Sequence, residues 1–319
     1  MRDGLISIII PTYNRAHLIG ETLDSVIAQT YRNWECIVVD DGSIDYTEEL
    51  LEFYCEKDDR IQFYNRPPNR HKGANACRNY GFELSKGEYI NWFDSDDIML
   101  PRKLELQLRM LQAKNIDFCV CNSLDWNDSN GTQKLRFDRL ISSQPFNDYV
   151  TGKIGFLTQA PLWKKQFLRK NNYRFDEELE AGQEWELFAR VLFDKPNYDC
   201  LEIPLVLLRI HNQNISNQKK SIVLLNYWKA RNKLYNYSLE GLSEKTNIYL
   251  LNYMLWEFKK NLRLFFFENA VKILYTSILR SKRISLFIKI KCSLALVSYI
   301  LFKKGNFLLS ATDIKELKN

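Results

Sequence analysis

No run of about 18 or more uncharged apolar residues, the least a membrane-spanning helix requires, occurs in this sequence, and the longest candidate, Cys292 to Phe302, is too short. A secretory leader is not expected either, because Met1-Arg2-Asp3-Gly4 passes straight into a strand-like run. Cysteine is sparse and odd in number. The seven residues Cys36, Cys55, Cys77, Cys119, Cys121, Cys200 and Cys292 are scattered, mostly in apolar runs, which is no disulfide framework. Cys119 and Cys121 stand too close for a zinc-finger pair and alternate as on a strand, so they are expected as buried small hydrophobes in a reducing cytosol. Internal repeats and low-complexity stretches are missing, and the opening lacks the G-x-G-x-x-G of a dinucleotide fold. The expectation is a protein that stays in the cytoplasm or lies peripherally on the inner face of the cytoplasmic membrane.

What is present is an ordinary globular mix. Hydrophobic residues make up 45% and charged residues 26%, which excludes collagen-like, disordered and coiled-coil classes. The 319 residues suffice for one large domain or for a domain with a substantial appendage. The net charge of +6 hides an asymmetry: from Lys219 onward 19 basic residues face 6 acidic ones, whereas 26 face 33 before it. An acidic body therefore carries a basic tail, and the two are expected to meet different partners.

Strand-like and helix-like segments alternate through the first half. Ser7-Ile8-Ile9-Ile10, Glu35 to Val39, Ile61 to Tyr64, Tyr89 to Phe93 and Phe118 to Cys121 read as strands. Helical spacing is found at Leu18 to Ile27, Thr47 to Tyr54, Gly73 to Leu84 and behind Pro101. This alternation predicts an α/β fold with a mostly parallel sheet flanked by helices. In such sheets ligands bind beyond the carboxyl ends of the strands. Three polar clusters fall there: Thr12-Tyr13-Asn14-Arg15, Asp40-Asp41-Gly42-Ser43 and Asp94-Ser95-Asp96-Asp97. Residues 124–157 read as a polar loop or insertion over that edge, Glu180 to Phe193 as a helix and Leu205 to Ile210 as a short strand. Beyond about Gln218 the chain reads as helical and rich in Tyr, Leu and Phe.

Asp94-Ser95-Asp96 offers hard carboxylate oxygens, of the kind that hold Mg2+ or Mn2+ together with phosphate oxygens. In an extended D-x-D both side chains share one side of the backbone. Acidic turns after strands also occur without a metal, so the motif by itself leaves both readings open. Asp41 is placed to accept the imide N–H of a uracil, with Tyr13 as a stacking face. Alternatively, Asp40 or Asp41 caps its own turn before Gly42. Lys72, Arg78 and the Gly73 backbone suit a phosphate or the orientation of Asp94; the alternative is a solvated basic face.

With these residues in view, the four motifs Ser7-Ile8-Ile9-Ile10-Pro11-Thr12-Tyr13-Asn14, Val38-Val39-Asp40-Asp41-Gly42-Ser43, Gly73-Ala74-Asn75-Ala76-Cys77-Arg78-Asn79-Tyr80-Gly81 and Phe93-Asp94-Ser95-Asp96-Asp97 resemble family 2 of the glycosyltransferases. The resemblance covers residues 5–100 strongly and extends more weakly to about 215. It implies the Rossmann-like GT-A fold over residues 1–217, with a nucleotide-sugar half at 1–123 and an acceptor and catalytic-base half at 124–217. Residues 218–319 lie outside it as a helical subdomain. The implied reaction is inverting transfer of a sugar from a nucleotide-diphosphate donor, usually UDP-linked, with Mn2+ or Mg2+. The acceptor would be a glycan or a lipid-linked saccharide in cell-surface polysaccharide synthesis.

The family's donor-site roles carry over to Pro11, Thr12, Tyr13 and Asn14 beside the base, Asp41 on the uracil, and Lys72, Arg78 and Asp94 around the nucleoside and phosphates. Asp96 matches the direct metal ligand, with Asp94 beside it. The base comes in this family from an acidic pair before an aromatic helix. Here the segment reads Ala181-Gly182-Gln183-Glu184-Trp185-Glu186, where Gln183 departs from the pattern. Glu184 then matches the base, with Glu186 as second choice. Arg209-Ile210-His211 resembles a late element whose histidine reaches the diphosphate or the metal. In the tail, Trp256, Phe258, Phe265, Ile273 and Leu274 among Lys259, Lys260, Arg263 and Lys272 suit an anionic lipid surface or a packed helical core. No nucleic-acid recognition motif accompanies that charge.

Overall fold

The computed structural model describes residues 3–210, 221–237, 241–310 and 312–314. The chain divides into two compact units, Met1–Asn214 and Ile215–Asn319.

The first unit opens with β1 (Ile6–Thr12), α1 (Ile19–Ile27), β2 (Trp34–Asp40), α2 (Thr47–Lys57), β3 (Ile61–Asn65), α3 (Ala74–Leu84) and β4 (Tyr89–Trp92). These strands lie parallel in the order β3-β2-β1-β4. Every residue of β1 is buried, as a strand covered by helices on both faces requires. Helix α3 packs so closely that a Cβ on Gly81 would strike Cγ2 of Ile9, so this position excludes any side chain. Register then sets the site: Thr12 pairs with Asp40 and Asp40 with Asn65, which brings three strand ends level. Strand β4 stops opposite Ile9, three residues short of the end of β1. At about 3.3 Å per residue this leaves a notch roughly 10 Å deep at the sheet rim, and the segment after β4 turns there.

The second half of this unit is mixed. It comprises β5 (Ile98–Met99), α4 (Lys103–Lys114), β6 (Phe118–Trp126), β7 (Gln133–Leu135), α5 (Pro145–Val150), β8 (Pro161–Lys164), α6 (Lys165–Lys170), α7 (Gln183–Phe193) and β9 (Tyr198–Arg209). Strand β8 runs antiparallel between β4 and β6, β9 is parallel to β6, and β5 and β7 add antiparallel edges. The sequence pattern ends the sixth strand at Cys121 because Asn122 and Ser123 break the apolar run. The strand instead continues to Trp126 through a register shift at those two residues. Strand β9 likewise begins at Tyr198 rather than Leu205.

Aromatic packing joins the halves where Trp92 of β4 lies 6.2 Å from Trp163 of β8, at the edge of a larger cluster. Phe118 stacks on Tyr198 at 4.7 Å and lies 4.2 Å from Trp163. Tyr149, Phe156 and Trp163 are buried in this cluster and form core. Beneath the sheet, the fully buried Lys103 donates from Nζ to Asn91 Oδ1 (3.1 Å), and burial lowers its pKa to about 8. Asn91 in turn donates to the carbonyls of Gln159 and Pro161.

The second unit is helical: α8 (Ser221–Tyr237), α9 (Glu244–Arg263), α10 (Phe267–Ile273) running into a π-helical turn at Leu274–Ile278, and α11 (Leu286–Phe302). Ser243 and Ser285 cap α9 and α11 by accepting from the N–H groups of Thr246 and Ile288. Of the aromatic and apolar residues that the sequence set between lipid and core, Phe258, Ile273 and Leu274 fill the interior, while Trp256 and Phe265 are exposed.

Candidate active site

The carboxyl ends of β1, β2 and β3 hold the first group of side chains. Pro11 and Thr12 are buried in β1, and Thr12 Oγ1 has no hydrogen-bond partner among the described residues. Tyr13 is exposed, with the Lys72 ammonium 4.4 Å from its ring centroid. Asn14 adopts φ 51°, a left-handed conformation that asparagine tolerates. Its N–H donates to Ser43 Oγ (2.8 Å) and its Oδ1 accepts from the N–H of Ile44 (2.8 Å), which ties the loop after β1 to the loop after β2.

The two adjacent aspartates divide their work. Asp40 closes its own turn, accepting at Oδ2 from the N–H groups of Gly42 (3.0 Å) and Ser43 (2.8 Å). Gly42 has φ 87°, a conformation that a side chain would strain. Asp41 is buried and accepts at Oδ1 from Arg66 Nε. Arg66 follows β3 directly and is held by the carbonyls of Pro67 and Arg70.

The turn after β4 fills the notch. Asp94 accepts at Oδ1 from Arg78 (2.7 Å) and at Oδ2 from Gln159 Nε2 (2.7 Å). Arg78 is buried, donates also to Asn75 Oδ1 (3.0 Å) and lies over the Phe175 ring. Asp96 is partly exposed, with Arg15 3.8 Å away. Asp97 is buried, accepting from Gln159 and, at 2.9 Å, from the N–H of Arg209. Burial, reinforced by the charges of Asp96 and Asp94, holds the Asp97 carboxyl well above the usual carboxylate range. Three carboxyl groups thus share one turn beside three arginines, Arg15, Arg78 and Arg209.

Helix α7 brings the other acids. Gln183, Glu184 and Trp185 in its first turn are half-buried. Glu186 is fully buried and clamped by Arg190, with bonds of 2.7 and 3.0 Å. The segment leading to this helix is docked on α3: Asn75 donates to the carbonyls of Asp176 and Leu179, and Asn79 to that of Phe175. Helix α3, which carries Arg78 to Asp94, therefore also anchors the approach to Glu184. Arg209, at the end of β9, donates to the carbonyl of Asp96 (3.1 Å), to Glu21 (2.6 Å) and to Asp128, and lies 4.6 Å over Trp126. These bonds brace the acidic turn. His211 lies outside the described residues.

The residues present fit a divalent cation in one specific way. Among the described residues no group of three or more His, Cys, Asp or Glu side chains has metal-holding geometry. Asp94 and Asp96 border solvent at the turn, and both oxygens of Asp94 already accept hydrogen bonds. A cation held mainly by one protein carboxylate, with diphosphate and water oxygens completing the shell, matches how Mg2+ and its like are usually held. Sequence reasoning placed Arg15 and Asp97 in the strand-end clusters without a role of their own, and missed Arg66 and Gln159 as members of the site. The strand-end rule that pointed to Asp41 and Asp94 applies equally to Arg66. Gln159 carried no signal, since it arrives from 62 residues beyond Asp97 through a strand that was not read.

The family model described as glycosyl transferase family 2 matches residues 7–172, more than half of the chain. An uncharacterized glycosyltransferase of Rickettsia typhi is 30% identical over 276 residues, 83% of this chain and 81% of that protein. The Escherichia coli UDP-Glc:alpha-D-GlcNAc-diphosphoundecaprenol beta-1,3-glucosyltransferase WfgD is 37% identical over 150 residues, 45% of this chain and 57% of WfgD. For three further Rickettsia relatives the match spans only 16–19% of their length. Among solved structures, Staphylococcus aureus TarS 1–349 in complex with UDP-GlcNAc superposes with a TM-score of 0.69 at 17% identity, covering 92% of this chain and 91% of that one. Motif order, sheet topology and these matches agree: the chain belongs to glycosyl transferase family 2 and is a glycosyltransferase of the GT-A fold.

Proposed function

We propose that this glycosyltransferase moves a sugar, a hexose or an N-acetylhexosamine, from a UDP-linked donor to a glycan or lipid-linked acceptor in cell-surface polysaccharide synthesis, with inversion at the anomeric carbon. The observation that carries this reading is the convergence of Thr12, Tyr13, Asp41 and the Asp94–Asp97 turn on one sheet rim, with Glu184 on a helix whose approach is docked to α3. WfgD, as its name states, uses UDP-Glc and a diphosphoundecaprenol-linked acceptor, and TarS was solved with UDP-GlcNAc, which supports a UDP-sugar here.

Each residue has a physical task. Tyr13 stacks on the base while Asp41, one oxygen held by Arg66, offers the other to the uracil imide. Pro11 and Asn14 shape that pocket, and the orphan Thr12 Oγ1 is available to the nucleoside. Arg78 orients Asp94 toward the nucleoside, and Lys72 and Arg15 supply positive charge for the diphosphate. Asp96, with Asp94 beside it and His211 as the third candidate, would hold Mn2+ or Mg2+. The ion supplies charge to offset the negative charge that develops on the departing diphosphate. Glu184 takes the proton of the acceptor hydroxyl. Glu186 does not suit that role, because Arg190 engages both its oxygens in the interior. Arg209 steadies the turn that presents Asp96. Residues 1–123 thus bind donor, 124–217 supply base and acceptor contacts, and the basic tail from 218 attaches the enzyme peripherally to a membrane.

A UDP-release assay with UDP-sugars and Mn2+ tests the reading. Wild type is expected to release UDP in a metal-dependent manner, and Asp96→Ala to lose at least about a hundredfold of that rate. A wild-type chain that binds UDP-sugar without metal-dependent turnover would be a binding scaffold, and the proposal would fall.

A further inference from the structure

Helix α11 is apolar on both faces. Ile288, Cys292, Ala295, Leu296 and Tyr299 are buried inside the helical unit. On the opposite side Leu286, Phe287, Ile290, Leu294, Val297 and Leu301 form one stripe, and all are exposed, Leu286 by 72% and Phe287 and Leu301 by 64% each. A helix apolar all round is normally covered all round, and an exposed ridge of this kind marks a docking surface. The surrounding charge says what covers it. From Asn269 to Thr312 the chain has eight basic residues and no acidic one. Lys282 and Arg283 precede the helix, Lys303 and Lys304 follow it, and all four are exposed.

We propose that α11 lies in the plane of an anionic lipid surface, with its Leu286–Leu301 stripe among the acyl chains and these four cations at the headgroups. The inference rests on the peripheral-membrane reading above and deepens it by naming the helix and its orientation. At about 1.5 Å per residue the 17-residue helix is about 25 Å long, and among the described residues no helix is long and apolar enough to cross a membrane. An in-plane helix with an apolar face and cationic ends binds by apolar burial together with attraction to anionic headgroups. A second copy fits less well: a two-fold interface sets the same surface against itself and would bring Lys282, Arg283, Lys303 and Lys304 toward their own counterparts. Helix α9 offers no such stripe, since Trp256 is its single exposed large apolar residue among those described.

The test uses the full chain and sedimentation with vesicles of phosphatidylglycerol and phosphatidylcholine, beside vesicles of phosphatidylcholine alone. Wild type is expected to pellet with the anionic vesicles at low salt and far less with neutral ones. The double variant Ile290→Glu/Leu294→Glu should lose at least tenfold in bound fraction, and Lys282→Glu/Arg283→Glu several-fold. Circular dichroism, melting temperature and UDP release with a soluble acceptor should stay at wild-type values in both, so that unfolding is not mistaken for lost binding. If wild type pellets and the Ile290→Glu/Leu294→Glu variant pellets equally, the membrane reading stands and the assignment to α11 is overturned. If wild type prefers neither vesicle, both fall. A wild-type dimer in light scattering that the same variant converts to monomer, without vesicle binding, would assign the stripe to a second copy and overturn the proposal.

Discussion

The two halves of the first unit assemble their polar groups in different ways. In the parallel half, β1 to β4, polar residues meet partners within the same turn, on an adjacent strand end or on the helix just before the strand: Asp40 with Ser43, Asp41 with Arg66, Asp94 with Arg78. In the mixed half, the residues around the acidic turn arrive from far along the chain. Gln159 reaches Asp97 across 62 positions, and Arg209 reaches Asp96 across 113 and Glu21 across 188. The difference teaches that the first half carries its polar groups as local motifs, whereas the second supplies bracing groups that only the assembled sheet brings into place.

If the parallel half binds and the mixed half reacts, substitutions should separate affinity from turnover. The largest effect is expected for Glu184→Gln, which removes the proposed base: kcat should fall about 10²- to 10⁴-fold, while stabilisation by UDP in a thermal-shift assay stays unchanged. Undiminished turnover would remove Glu184 from the mechanism. Its neighbour two residues on should behave in the opposite way. Glu186→Gln disrupts a buried ion pair with Arg190, at a cost of about 3 kcal/mol. The melting temperature should drop by about 6–12 °C, with activity per folded molecule retained.

In the parallel half, Tyr13→Ala removes a stacking face and should weaken UDP binding about tenfold, roughly 1.4 kcal/mol, at constant kcat. Titration calorimetry with UDP and saturating-donor rates separate the two quantities; a fall in kcat alone would blur the division. The smallest effect tests the buried link between the halves. Lys103 has its pKa lowered to about 8 by burial, against about 10.4 for an unfolded lysine. Between those values the unfolded chain holds the extra proton, so stability rises with pH. From pH 7.5 to 9 the gain from this group is about 1 kcal/mol, and it should vanish in Lys103→Met. Urea midpoints at the two pH values give the comparison.

The same contrast explains what could be read in advance. The strands at Ile8, Cys36 and Ile90 are short apolar runs, and their polar ends show the candidate site because a parallel sheet places every carboxyl end on one rim. Strand β8 was not read: Pro161-Leu162-Trp163-Lys164 is four residues long and gave no clear period. The extension of β6 to Trp126 was hidden by Asn122 and Ser123; the Asn122 side chain donates to the carbonyl of Phe137 and accepts from the N–H of Ser123, so these residues belong to the strand rather than to a loop. The tail was legible as helical, but not which apolar residues face inward, because α11 has apolar residues in every direction.

By itself, the order of residues determined the family, the parallel half of the sheet and the acidic turns at its rim, since these depend on local periodicity and on motifs a few residues long. The tertiary structure alone decided that Asp40 closes a turn while Asp41 meets Arg66, and that Glu186 is sealed by Arg190 while Glu184 borders the first turn of its helix. It also decided which side of α11 stays uncovered. The physical reason is common to all three: adjacent residues of one chemistry differ only in which neighbours desolvate and pair them, and those neighbours come from other strands and helices.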